Sequence, residues 1–270
     1  MPMYSWALYL VRDWDYNRFD ATFLFLILHL LVYPSSNAFN SSQDKDLGSI
    51  GGLKNPPPVP ASLTTITWII DITAILLSYI FLSAFVAIGI FGYILASRAY
   101  SHRSIRWKKN PISGFLTVFI FQGAYIVALV VYSLVPNVHD LSIDIWIPIL
   151  AASFLIGAIY PLTQIYQFES DKADGVTTLS MRLGYKGTFI WTILCFTIAS
   201  LAIAYSGISN GKTMDVMVFQ LFGLPVVIYF IYWMRLVWID TIHASFHHTM
   251  RFNLIASFCL NSCFLYLAFV

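Results

Sequence analysis

Charge is scarce in this chain. Asp, Glu, Lys and Arg together make up 10% of 270 residues, and glutamate occurs once, at Glu169. Soluble domains carry roughly a quarter charged residues and about half apolar; here the apolar share is 59%. A water-soluble fold of this length cannot hide so much apolar surface, so lipid must be part of its solvent. Cysteine is nearly as rare. Cys195, Cys259 and Cys263 all lie within apolar runs, which excludes a disulfide framework. A net charge of +2 with no basic stripe excludes a nucleic-acid surface. Met1 to Arg12 lacks a basic n-region and a small-residue cleavage site, so it does not read as a signal peptide.

Long apolar runs are what the chain has in place of charge. About 20 apolar residues in a helix cross a bilayer core. With that ruler the sequence predicts spans over Phe19 to Phe39, Ala61 to Ile80, Leu82 to Ala99, Ile112 to Val135, Ile143 to Pro161, Gly187 to Ser206, Val216 to Trp238 and Phe252 to Val270. The run from Thr64 to Ala99 is too long for one crossing and is divided by a turn near Ser83. Met3 to Val11 is a ninth apolar stretch of half the needed length, a shortened first helix or an interfacial segment. The expected fold is all-α: one polytopic membrane domain over residues 1–270, with eight full transmembrane helices and a shortened first one.

Alternation of these spans puts Lys45, Lys54, Arg98, Arg103, Arg106, Lys108, Lys109, Lys172, Arg182, Lys186, Arg235 and Arg251 on one side, and only Arg12, Arg18 and Lys212 on the other. By the positive-inside rule the side with twelve is cytoplasmic. The expected location is a bacterial inner membrane.

Two polar stripes interrupt the apolar pattern. Asn37, Asn40 and Asp44 close the first full span at i, i+3 and i+7; Gln164, Gln167 and Asp171 close the fifth at the same spacing. Residues so spaced share one helix face. Each trio runs amide, amide, carboxylate, with Asp46 after the first and Glu169 and Asp174 beside the second. Either trio alone suits an ordinary helix end entering water. Two with one spacing, on one membrane side and half a chain apart, point to an internal repeat flanking a common site.

The segment from Gln164 to Gly184, with its Gly175, Thr178-Leu179 and Leu183-Gly184 tail, resembles the second aspartate-rich motif of the UbiA-type intramembrane prenyltransferases. Ser36 to Asp44 is similar to the family's first motif, and Tyr100 to Lys108 to its cytoplasmic tyrosine and basic segment. The resemblance in helix order covers nearly the whole chain and implies a nine-helix bundle. It further implies transfer of a prenyl group from an allylic prenyl diphosphate to a lipid-soluble, commonly aromatic acceptor, with Mg2+ as cofactor. Carried over residue by residue, Asp44, Asp171, Asn40 and Gln167 would be catalytic. Asn37, Lys54, Tyr100, Arg103, Arg106, Lys108, Gln164 and Lys172 would bind substrate, and Asp44, Asp46, Asp171, Glu169 and Asp174 would hold metal. Where the family pattern has aspartate, Asn37, Asn40, Gln164 and Gln167 carry amides, so the resemblance also implies weaker metal binding.

Two other readings compete. Asp71 lies mid-span, where an ionisable group is costly: it is either a proton or ion site of a transporter or a side chain hydrogen-bonded across helices. Asp240, His243, His247 and His248 have the spacing of a histidine box. A membrane metal oxygenase needs several such clusters, whereas His29, His102 and His139 are scattered, which leaves a cytoplasmic connector as the plainer account.

Overall fold

Ser83 divides the long second apolar run. Its extended backbone breaks the helix, and its hydroxyl accepts from Val86 N, capping the next one. Repeated breaks of this kind give nine helices among residues 2–44, 49, 52–135, 137 and 142–270, which the computed structural model describes. They are α1 (Pro2–Leu10), α2 (Arg18–Asp44), α3 (Leu63–Phe81), α4 (Ala84–Ser101), α5 (Pro111–Leu134), α6 (Ile143–Ala173), α7 (Leu179–Ser209), α8 (Thr213–Ile239) and α9 (Phe246–Phe269). The last eight are long and apolar enough to cross a membrane. The fold is the expected all-α bundle, and the protein is an integral membrane protein.

From α2 onward sequential helices pair with each other, and α1 packs against α5 and α9. Short as it is, α1 belongs to the core rather than the interface. Trp6 is 2% exposed and donates from Nε1 to Pro148 O at 2.9 Å, while Tyr4 donates to Ala21 O. Outward faces are apolar, as lipid requires: Ile69, Ile72, Leu76 and Tyr79 of α3 are all exposed.

Loops gather at two ends. At one, Arg12 bonds Asp215 and Leu267 O, and Lys212 bonds Asp13 at 2.6 Å. At the other, the segment after α4 meets the ends of α2 and α6. This second end carries the polar stripes, and here several helices run past their apolar spans: α2 continues five residues beyond Phe39, and α6 continues through Pro161 to Ala173.

Several stretches depart from α geometry, among them Ile143–Ile145 at the start of α6 and Gly184 within α7 (φ 67°, ψ 177°). Ile27–Val32 of α2 and Phe119–Tyr125 of α5 are π turns. Tyr160–Gln167 of α6 winds as a 3-10 helix, long for that type; Pro161, with no N–H to give to an i−4 carbonyl, stands at its start. The second stripe therefore lies on a tighter helix than expected. Gln164 and Gln167 fall one above the other at three residues per turn, and Asp171 follows one α turn later.

Asp71 is structural in this arrangement. It is 2% exposed and receives Arg98 Nε at 2.9 Å and Ser35 Oγ at 2.6 Å. The Arg98 guanidinium also lies 3.9 Å from the Phe39 ring centroid. Arg98 is thus no loop residue facing water: buried within α4, it ties α2, α3 and α4 together through one carboxylate.

Candidate active site

The two stripes face one space. A cavity of about 730 Å3 opens between the ends of α2, α4, α6 and α9, and Asn37, Asn40 and Asp44 line it from one side, Gln164, Gln167 and Asp171 from the other. Helix geometry keeps each trio in register, and both trios line this one cavity.

Asp44 is the buried anchor of the first stripe, its side chain 7% exposed. Lys108 forms an ion pair with its Oδ2 and donates to Asn40 Oδ1 at 3.2 Å. Ser101 Oγ donates to that same Asn40 oxygen at 2.8 Å. Arg106 reaches Asp44 Oδ1 at 3.5 Å and pairs with Asp174, so one guanidinium links the two motifs. Its backbone is left-handed, φ 49°, a conformation that costs a non-glycine residue of the order of 1 kcal/mol. The turn is held by Arg106 N donating to His102 O at 2.8 Å and by Thr177 N donating to Lys109 O at 3.2 Å.

On the second stripe, Gln164 Nε2 donates to Tyr160 Oη at 2.9 Å, and Tyr160 shares a 2.6 Å hydrogen bond with Tyr100. Gln167 Nε2 lies 3.5 Å from Ser49 O, and Ser49 also lines the cavity. Asp171 O accepts from Val176 N at 2.8 Å, which closes the turn after the motif.

The expected site residues divide sharply. Asn37, Asn40, Asp44, Tyr100, Lys108, Gln164, Gln167, Asp171 and Asp174 all line the cavity, and Arg106 braces it from behind. Lys54, Glu169 and Lys172 are exposed and do not line it. Arg103 is exposed as well: its Nε donates to Gln43 O at 2.6 Å and its Nη2 to Asp44 O at 3.4 Å, capping the last carbonyls of α2. Asp46 lies outside the described residues.

Sequence reasoning missed Tyr160, Asn253 and Met250. Asn253 and Met250 approach the cavity from α9, and Asn253 Oδ1 is buried without a hydrogen-bond partner among the described residues. The last span, Phe252 to Val270, carries no carboxylate, so nothing in it repeats the amide, amide, carboxylate order of the stripes. The histidines stand elsewhere: His248 Nδ1 is 3.0 Å from Tyr229 Oη, and its ring stacks on Trp233.

A match to the model of the UbiA prenyltransferase family covers residues 1–255. The chain belongs to that family. Two solved structures share its fold at 16% identity. One is a UbiA homolog from Archaeoglobus fulgidus bound to DMAPP and Mg2+, with a TM-score of 0.65 over 99% of this chain and 95% of that one. The other is a digeranylgeranylglyceryl phosphate synthase, with a TM-score of 0.63 over 99% and 92%. No curated protein sequence matches significantly. The expected nine-helix UbiA architecture is therefore the one observed, and the chain is a membrane protein of the prenyltransferase kind.

Whether these residues fit the family's Mg2+ depends on the stripe. Among the described residues no three His, Cys, Asp or Glu side chains form a ready metal cluster. Magnesium needs only one or two protein carboxylates beside phosphate and water, and Asp171 with Gln167 meets that need at the second stripe. At the first stripe Asp44 pairs with Lys108 and is approached by Arg106.

Proposed function

We propose that the cavity binds the diphosphate of an allylic prenyl diphosphate and that the protein transfers the prenyl group to a lipid-soluble acceptor. The observation that carries this reading is the convergence of both stripes, with Lys108 between them, on a single cavity at the bundle end. In the reaction the bond from prenyl C1 to the bridging oxygen breaks, and the diphosphate leaves with the electron pair. C1 then bonds to the acceptor, which releases a proton. Dimethylallyl diphosphate and Mg2+ are bound by the Archaeoglobus relative, in line with this substrate class.

Each residue has a physical task. Lys108 and Arg106 neutralise charge gathering on the leaving group, charge-assisted contacts that strengthen in a site shielded from water. Asn37, Asn40, Gln164 and Gln167 offer amide donors to phosphate oxygens and amide oxygens to a cation. Asp171, with Asp44 and Asp174 near it, sets the balance of charge. Bound Mg2+ would supply further neutralisation of the diphosphate from the Asp171 side. Tyr100 and Tyr160 close the cavity toward the bilayer centre and shield the electron-poor prenyl carbon from water.

The twelve-to-three distribution of basic residues supports a cavity open to the cytoplasm, in an inner membrane. A transporter role for Asp71 lacks support, since Arg98 and Ser35 occupy its carboxylate.

Membranes containing the protein, incubated with labelled prenyl diphosphates, a native lipid extract and titrated Mg2+, test the proposal. Labelled lipid is the expected product. Its absence over the whole Mg2+ range, together with no binding of a prenyl thiodiphosphate, would sink it.

A further inference from the structure

At the bundle end opposite the stripes, a cavity of about 620 Å3 opens between α1, the first turns of α2 and the last turns of α9. Leu8 lines it from α1, Phe25 from α2, and Leu265 and Phe269 from α9. Tyr4 reaches across to α2 in its wall: the hydroxyl donates to Ala21 O, and the ring stands 5.3 Å from Phe25. Trp14 and Tyr16 line it from the turn between α1 and α2, as aromatic residues do where a membrane helix meets water. Arg18 belongs to the same face of α2 as Phe25, seven residues and about 10 Å of helix away. The cavity therefore runs from the water boundary into the apolar layer.

Three charged side chains line this cavity: Arg12, Arg18 and Asp15. Arg12 is already neutralised, since it bonds Asp215 Oδ2 at 2.7 Å and Leu267 O at 2.6 Å. Arg18 and Asp15 are exposed at the rim, and among the described residues neither side chain forms a hydrogen bond or an ion pair, with the other or with any third group. Lys212, the remaining cation at this end, is held by Asp13. Asp20 sits in the first turn of α2, where the helix dipole favours an acid, and it does not line the cavity. One unspent cation and one unspent anion thus share the rim of a cavity whose inner half is apolar.

We propose that this cavity binds one zwitterionic phospholipid from the leaflet on this side, with its phosphate on Arg18, its ammonium on Asp15 and an acyl chain along Leu8, Phe25, Leu265 and Phe269. The charge balance selects the headgroup. A zwitterion satisfies both side chains, whereas an anionic headgroup satisfies Arg18 and brings a like charge beside Asp15, which costs affinity. The apolar inner half selects a lipid over a water-borne phosphate compound, because beneath the rim the gap between these helices is reached by hydrocarbon and not by water. A lipid so held ties α2 to the end of α9 beside α1, which is only nine residues long. The site is independent of the diphosphate cavity at the other end of the bundle.

Native mass spectrometry of the purified full-length protein, with lipids titrated into the detergent, tests the proposal. Phosphatidylethanolamine should bind about fivefold more tightly than phosphatidylglycerol with the same acyl chains; equal or reversed affinities would overturn the proposal. Arg18→Ala should weaken phosphatidylethanolamine binding about tenfold, as for loss of one bond to a charged group. Asp15→Asn should weaken phosphatidylethanolamine and strengthen phosphatidylglycerol, so that the preference disappears. Both changes are made at exposed side chains without partners, so neither threatens folding. A preference unchanged in both variants would place the lipid elsewhere and overturn the assignment. Glycerophosphoethanolamine, the same headgroup without chains, should not compete; competition would make this a site for a soluble phosphate compound and the lipid assignment would fall. Leu265→Trp, which fills the inner half and leaves both charges, should abolish binding of both lipids, and retained binding would likewise refute the proposed acyl path.

Discussion

Lys108 forms an ion pair with Asp44, the single carboxylate of the first stripe, and bonds Asn40 Oδ1 from the same ammonium. A basic side chain from the segment after α4 thereby stands on the one acid that α2 presents to the cavity. Under the proposed function this ammonium would present a fixed positive charge to the diphosphate at the first stripe.

Replacement of Lys108 by alanine should weaken binding of a prenyl thiodiphosphate about ten- to a hundredfold, as expected for loss of a hydrogen bond to a charged group worth about 1.5–3 kcal/mol. The loss should persist at saturating Mg2+, because the ammonium and the metal act at different stripes. Isothermal calorimetry across a Mg2+ series decides this. Full recovery at high Mg2+ would show that the two charges are interchangeable.

Asp44→Asn, which leaves Lys108 without its anchor, and Asp171→Asn should each remove most ligand-dependent thermal stabilisation, with the double variant little worse than either, since groups acting on one ligand are not additive. Gln167→Asp adds a carboxylate one turn from Asp171 and should lower the Mg2+ concentration needed for half-maximal stabilisation. Simple additivity of the two Asn variants would mean that the stripes bind separately.

The pair of Asp71 and Arg98 carries the stability of the α2, α3 and α4 corner. Side-chain exposures of 3% and 7% mean that Asp71→Asn strands a buried guanidinium, at a cost of about 3–5 kcal/mol. Asp71→Leu combined with Arg98→Met should melt closer to the unaltered protein than the Asn variant does. Thermal unfolding in detergent orders the three, and a single variant indistinguishable from the parent would contradict the pairing.

Gly123→Ala should lower the melting temperature. Its Cβ would meet the Ser153 backbone at 2.4 Å, and overpacking of this kind costs about 1–3 kcal/mol. Gly223, in α8, has nothing within 4 Å of a built Cβ, so Gly223→Ala should be harmless or stabilising through the higher helix propensity of alanine. The difference between the two melting curves is the measurement.

Orientation is open to a direct experiment. With Cys195, Cys259 and Cys263 replaced, a cysteine at position 212 should react with an impermeant thiol reagent in intact cells, whereas one at 108 should react only after lysis. The reverse pattern would invert the cytoplasmic assignment of the cavity.

By itself the sequence determined the solvent, the number of crossings and the stripes. Apolar run length sets where a helix can span. The spacing of Asn37, Asn40 and Asp44, and of Gln164, Gln167 and Asp171, is a local consequence of helix geometry that needs no tertiary information. Span limits drawn from hydropathy stop at Phe39 and Pro161 because polar helix looks like loop to such a ruler, whereas α2 and α6 continue to Asp44 and Ala173. Tertiary structure alone decided that the two stripes face one cavity. Of the basic residues near this end it selected Lys108 and Arg106 for the acids, turning Arg103 to cap α2 and leaving Lys54 and Lys172 exposed. It also consumed Asp71 in an ion pair, brought Asn253 to the cavity wall and set Tyr160 against Gln164. Those choices depend on how each helix is rotated about its axis and on the path of the loops, and in a chain apolar on every face the hydrophobic pattern no longer encodes that rotation.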